Sequence, residues 1–402
     1  MNARGLTGAL WLLPAVVLAA DTQTLPKGTF ALDTAYLDTR IDSQWNGARQ
    51  QVSLLPSIDR YEPGGGFQGR ITATPKAHFQ LVIPQLSYGV TDDLTVAVVV
   101  PLVVRTTIQT NLSWEPGAYQ PQLGRAYSEA DFWAWAGSMG QPKPPDTWVG
   151  NAWTPADIVL GARYKLPRPA WLEKAGVVWA GGLYVALPTG RPVPPEEVVA
   201  AGTTNWELHS YGDVEAHLAV SKSLWTDGYG VERLVLGADG FYAWFRPKTY
   251  ETPKGTNNPL LQTFAPYVGE RYTIDPGDWL GASATLDWSI FHGPTRASIV
   301  SGGSLERAER LPSLLTLSLG YTLFFTGQSD WQSQSALWDY DREKYWQPGE
   351  KHIARAQGTV SLLRLGLPIQ LYAGYRNQSW LTGRYVRPSD ACVVGVRVLA
   401  KF

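Results

Sequence analysis

Ala391-Cys-Val-Val-Gly-Val-Arg-Val-Leu-Ala-Lys-Phe402 closes the chain. Read with period two, it sends Val394, Val396, Val398, Ala400 and Phe402 to one face and Val393, Gly395, Arg397, Leu399 and Lys401 to the other. The first face is wholly apolar. A strand with such a face must lay it on a protein core or on lipid, and the stretch alone leaves both choices open.

The other end of the chain narrows them. Met1 to Ala20 has the layout of a secretory signal, with Arg4 in a short n-region, an apolar run from Leu6 through Trp11 to Leu18, and small residues Ala19 and Ala20 before Asp21. That run is short for a span and contains Pro14, and no later stretch reaches the roughly 18 uninterrupted apolar residues of a transmembrane helix. Export with no helical anchor leaves a periplasmic, a secreted or an outer-membrane protein. The final strand resembles that of outer-membrane β-barrels, which closes against the first and in that class is read by the barrel insertion machinery. The expectation is therefore a signal peptide over 1–20 and one all-β domain over 21–402. That domain is a transmembrane up-and-down antiparallel barrel of about twelve strands, with long extracellular loops facing lipopolysaccharide.

Composition agrees with that class. Lys and Arg number 34 and Asp and Glu 35, a net charge of −1, so the electrostatic footprint of a nucleic-acid partner is missing. Charged residues make up only 17%, whereas 18 Trp and 19 Tyr suit the aromatic girdles that barrels place at both membrane boundaries. The one cysteine, Cys392, excludes an internal disulfide and a multi-cysteine metal cluster. It is expected to point toward the lumen as a small packing residue.

Taken in order, a first strand is expected over Thr29 to Arg40, with Phe30, Leu32, Thr34 and Tyr36 in one row. Residues 41–76 read as an external loop. Phe79, Leu81 and Ile83 then lead through the tight turn Tyr88-Gly-Val-Thr-Asp-Asp93 into Leu94 to Gln109, a hairpin. Its second strand keeps Leu94, Val96, Val98, Val100, Leu102 and Val104 on one face, enough for a lipid-facing band of about 25 Å.

Tyr88-Gly-Val-Thr-Asp-Asp-Leu-Thr-Val with Pro101, followed by Ala156-Asp-Ile-Val-Leu-Gly-Ala-Arg-Tyr-Lys-Leu166, resembles the meta-pathway of phenol degradation family of outer-membrane proteins. The resemblance implies a β-barrel transporter for hydrophobic or aromatic compounds. It carries over no set of functional residues, and the tryptophan-rich loops depart from the family's plainer members.

The longest insertion, 112–153, collects Trp114, Tyr127, Phe132, Trp133, Trp135 and Trp148, and within it Ser128-Glu-Ala-Asp131 has capping-box spacing for a short helix. Such a loop could fold over the barrel mouth or rest on its rim. Further strands are expected near 158–164, 177–187, 206–220, 234–244, 280–290, 315–325, 353–365 and 369–380, while 292–311 could extend either neighbour. An even count puts both termini on the periplasmic side.

Chemistry is sought on the face opposite the apolar one. His209, Tyr211, Asp213, Glu215 and His217 form one inward polar row, and Arg355, Arg376 and Arg397 are further inward groups, with Asp239 and Asp287 as counter-ions. Such groups either stiffen the wall through hydrogen bonds or select permeants by charge and size. Residues four apart on a strand lie about 13 Å apart, so His209, Asp213 and His217 make a poor metal site, and no cofactor is expected. A barrel hydrolase with His-x-Ser spacing is the rival reading, but none of the five histidines has serine two residues on. The expectation is a passive channel for small molecules with a polar-lined lumen and no enzymatic activity.

Overall fold

The computed structural model describes residues 22–401 except 56, 63, 140–142, 151–152, 191–211, 228–231, 252–268, 292–312, 329 and 336–347. The expected signal peptide, His209, Tyr211, Phe402 and the 292–311 connection lie outside the described residues. Among those described, no helix is long and apolar enough to cross a membrane.

Twelve antiparallel wall strands close into a barrel. They are β1 (Thr29–Ile41), β2 (Lys76–Gly89), β3 (Leu94–Val99 and Leu102–Gln109), β4 (Thr147–Gly150, Thr154–Pro155 and Ile158–Lys165), β5 (Val177–Leu187) and β6 (Asp213–Thr226). The second half comprises β7 (Glu232–Phe245), β8 (Trp279–Phe291), β9 (Leu315–Thr326), β10 (Gly349–Ser361), β11 (Ile369–Asn377) and β12 (Asp390–Lys401). Each pairs with its neighbours in sequence, and β12 returns to β1 from Thr29↔Lys401 to Arg40↔Asp390. Closure follows from the outer surface: lipid offers no partner to backbone N–H and C=O groups, so an open edge would leave a row of them unsatisfied. Pro101, which lacks an N–H, divides β3, and the β2–β3 register shifts at Gln80/Leu81.

Alternation sorts the two surfaces. On β1, Ala31, Asp33, Ala35, Leu37, Thr39 and Ile41 are buried, while Phe30, Leu32, Thr34 and Tyr36 are more open. The outward row continues around the wall through Leu86, Val98, Leu160, Leu218, Leu236, Leu280, Leu319 and Val394, all exposed, and Trp244, Trp288 and Tyr321 supply aromatic rings to it. Cys392 corrects the sequence reading. It is exposed, in phase with Val394, because an interval of two residues along a strand returns to the same face.

Outside the wall, 41–76 is more regular than expected. Ile58–Tyr61, Phe67–Ala73 and Leu112–Pro116 form a three-stranded sheet that prolongs β2 and β3. Helix α1 (Glu129–Ser138) packs on it, Phe132 and Ala136 meeting Ile71, Trp114 and Tyr127. The expected capping box is present: Asp131 N–H donates to Ser128 Oγ at 3.3 Å and Ser128 N–H to Asp131 Oδ2 at 2.8 Å. Hydrogen bonds from Arg125 and then Ser128 hold the Asp131 carboxyl well below the ordinary carboxylate range. The insertion thus spends Trp114, Tyr127, Phe132, Trp133 and Trp135 on its own small core, whereas Trp148 packs against the inner wall and 42–55 turns inward as well: Leu54 is buried among Leu37, Ile41, Ala77 and Phe79.

Candidate functional site in the lumen

Residues paired across a ladder point to the same side of the sheet, so one ladder traces the inner wall. His217 on β6 pairs with Phe241 on β7, Phe241 with Gly281 on β8, Gly281 with Phe324 on β9, and Phe324 with Lys351 on β10. An ionisable group therefore stands at each end of an aromatic shelf. Gly281 makes the shelf continuous. A Cβ there would lie 2.4 Å from the Phe241 ring and 2.8 Å from Phe324 Cβ, so only glycine lets the two phenylalanines share the space over β8. His217 stacks on Phe241 at 5.4 Å with 19° between planes, and Lys351 Nζ lies 5.7 Å from the Phe324 centroid, within cation–π range.

The β6–β7 end is acidic and internally satisfied. His217 Nδ1 faces Asp239 Oδ2 at 3.1 Å and its Nε2 faces Glu215 Oε2 at 3.2 Å, so both ring nitrogens can donate to carboxylates. The three side chains are 6%, 1% and 5% exposed. Tyr184 closes the histidine's other side edge-on at 5.1 Å. Above it, Asp213 is buried, and Asp157 accepts from the Gly190 and Gly212 N–H groups at 2.9 and 3.3 Å.

The β10–β12 end is basic and unevenly satisfied. Arg397 donates through Nε to Asp33 Oδ2 at 2.8 Å, and Tyr372 O–H donates to Asp33 Oδ1 at 2.6 Å. Arg355 and Arg376 are direct cross-strand partners, a pairing that like charges disfavour. Gly320 resolves it for one of them. With no Cβ on β9, the Arg355 side chain lies across that strand, a hypothetical Cβ being 2.3 Å from its Nε, and comes within electrostatic reach of Asp287 and Asp239. Arg376 has no such exit. None of its three guanidinium nitrogens is open to water or has a hydrogen-bond partner among the described residues. Asp390, the nearest carboxylate, accepts from the N–H groups of Gln378 and Ser379 and from the Ser379 hydroxyl instead. Lys351 is 4% exposed and within electrostatic reach of Arg376.

Between the two charged strips the inner wall is apolar. Leu37, Phe79, Leu81, Ile83, Val99 and Val103 form one buried patch over β1–β3, and Phe241, Phe245, Trp279, Phe324 and Ile353 another over β7–β10. Of the residues singled out from sequence, Asp213, Glu215, His217, Arg355, Arg376 and Arg397 all lie on the inner face. They fall into the two strips, not into one row. Asp239 does serve as a counter-ion, but to His217. Sequence reasoning missed Lys351, which lies just before the strand start placed at 353. It also missed Asp33 as the partner of Arg397, although Asp33 is out of phase with the Phe30 row and so had to point inward.

No family profile and no curated protein matches this chain by sequence. Among solved structures, an outer membrane channel from Pseudomonas putida F1 is 14% identical with a TM-score of 0.52, the likeness covering 95% of this chain and 98% of that one. At that identity it shows the fold of an outer-membrane barrel. More distant likenesses include the translocator domain of autotransporter NalP from Neisseria meningitidis, at 11% identity and TM-score 0.36 over 97% and 94% of the chains. Another is the toluene transporter TbuX of Ralstonia pickettii, at 10% identity and TM-score 0.36 over 96% and 93%.

Proposed function

We propose that this chain is an outer-membrane channel that passes small molecules, with apolar or aromatic compounds as its permeants. The observation that carries the reading is the inner wall: two apolar patches run beside charged strips within one closed barrel. A pore for ions or polar solutes alone has no use for apolar side chains along its passage. A passage for compounds with an apolar body needs a wall that wets them. Twelve strands about 4.8 Å apart and tilted by about 40° give a cylinder of roughly 24 Å between opposite backbones, narrower than the 16-stranded porins, so side chains decide what passes. Delivery by the N-terminal signal and insertion read from the Phe402 strand complete the proposal, and the resemblance to the phenol-degradation family favours the same permeants.

Planar-bilayer recordings of refolded protein are the test. Discrete conductance steps are expected, and an ion-tight membrane over many insertions overturns the channel.

A further inference from the structure

Several inner-wall acids and bases bond one another, whereas two bases, Lys351 and Arg376, make no such bond among the described residues. Glu215 and Asp239 are bridged by His217, and Asp157 is held by two backbone N–H groups. Arg397 has Asp33, and Arg355 leans toward Asp287 and Asp239. Among the described residues no carboxylate is hydrogen-bonded to Lys351 or Arg376, and Asp390 acts on Arg376 only through space. Burying a guanidinium with no hydrogen-bonded partner is costly, and the cost is relieved where an anion visits it.

Its neighbours are donors too. Gln378, just beyond the end of β11, is 1% exposed; its Oε1 accepts from Ser389 N–H and Oγ–H, while its Nε2 has no partner. Thr39 on β1 shares the Arg376 ladder across Ala391, and its buried hydroxyl is likewise unpartnered. Arg376, Lys351, Gln378 and Thr39 thus turn hydrogen-bond donors toward one place and bring no carboxylate oxygen to it. Beside them lies the aromatic shelf, Phe324 under the Lys351 ammonium. A planar ring fits the shelf and two carboxylate oxygens fit a guanidinium.

The place is roofed. From β1, the segment 42–55 reaches over the neighbouring β11–β12 connection to the start of β10. Trp45 N–H donates to Val386 C=O at 2.7 Å and its indole sits on Gly383, the ladder partner of Lys351. Arg49 pairs with Glu350 at 2.5 Å, and Gln51 Nε2 donates to Ser379 C=O. The Arg49–Glu350 pair is exposed at the mouth, so it is cheap to break.

Resting on the channel reading above, we propose that Arg376 and Lys351, with Gln378 and Thr39, form a binding station for the carboxylate of an aromatic acid, whose ring lies on the Phe324–Phe241 shelf once the 42–55 strap lifts. The ligand class is an apolar aromatic body bearing one negative charge.

Calorimetric titration of the refolded full-length barrel with benzoate, and with benzamide as its uncharged analogue, tests the station. Benzoate is expected to bind at least tenfold more tightly than benzamide. Arg376→Leu and Lys351→Met should each weaken benzoate tenfold or more, leave benzamide unchanged and not lower the urea midpoint, while Arg376→Lys retains part of the preference. Equal binding of the two compounds, no binding of either, or benzoate affinity unmoved in both variants overturns the station. The two readings separate. Conductance without benzoate preference removes the station and leaves the channel, whereas benzoate binding in a barrel that never conducts leaves the station and removes the channel.

Discussion

The two charged strips of the lumen are built on opposite logic. Along β6 and β7 one histidine answers two acids: His217 stands between Glu215 and Asp239, and its ring is held by Phe241 and Tyr184. Along β10 and β11, Lys351 and Arg376 lie within reach of each other's charge and no carboxylate bonds to either. The ladder leaving Asp33 reaches β6 at Asp213, and strand tilt raises it by about six residues over those five steps. That brings Asp213 to the depth of Thr39, beside Arg376 and half a circumference away. Burial alone therefore does not tell structure from function in a barrel interior; the state of hydrogen-bond satisfaction does.

Removing the bridge of the satisfied strip is the most damaging change. His217→Leu leaves two buried carboxylates facing each other across an apolar side chain, and the loss of one partner from a buried ionic cluster costs about 3–5 kcal/mol. Urea unfolding in lipid vesicles reads it directly. A loss below about 1 kcal/mol, the range of exposed pairs, would mean that the cluster is wet and the contrast between the strips unreal.

Gly320→Ala sharpens the comparison from the other side. The new methyl would occupy the path that takes Arg355 over β9, pushing it back toward Arg376. Overpacking of this kind costs about 1–3 kcal/mol. The loss should shrink when Arg376→Leu is added, because the repulsion is then gone; strictly additive effects would show that Arg355 and Arg376 do not compete.

Arg376→Leu alone should behave unlike either. Replacing an unanswered buried guanidinium with an apolar side chain removes a desolvation penalty, so stability is expected to hold or rise by about 1 kcal/mol in the same assay. A fall comparable to that of His217→Leu would reveal a partner for Arg376 and erase the asymmetry.

Much of the wall was legible because alternation is a two-valued code. Once Val394 faces out, Arg397, Arg376, Arg355 and Asp213 must face in, and they do. What alternation hides is which inward groups meet. Glu215 and His217 are two apart on one strand, but the second carboxylate, Asp239, comes from β7, and only the register of β6 on β7 brings it there. The apolar patches were hidden for another reason. Phe79, Leu81 and Ile83 point inward while Val82 and Leu86 on the same strand point outward, so β2 is apolar on both faces and offers no contrast from which to choose the lumen side. The strap over 42–55 shows no period at all, since single contacts such as Arg49 with Glu350 fix it.

The smallest effect concerns a charge outside the wall, where a carboxylate is satisfied in water instead of in the dry lumen. Asp131 closes the α1 capping box and is paired with Arg125. Its folded pKa lies well below the ordinary 3.8, so its contribution is complete above that value and is lost progressively as pH falls from it toward the lower, folded one. Protection of the α1 amides, followed by hydrogen exchange corrected for intrinsic rates, should stay level from neutral pH until it nears 3.8 and then decline steadily in stronger acid. Asp131→Asn should lower protection at neutral pH and flatten the acid limb. Protection that does not fall below pH 3.8 in the wild type, matching Asp131→Asn, would show that neither Arg125 nor Ser128 holds the carboxylate in solution. Because the helix rests on the three-stranded sheet and not on the wall, binding of benzamide, which carries no charge to titrate there, should be the same on both sides of that transition.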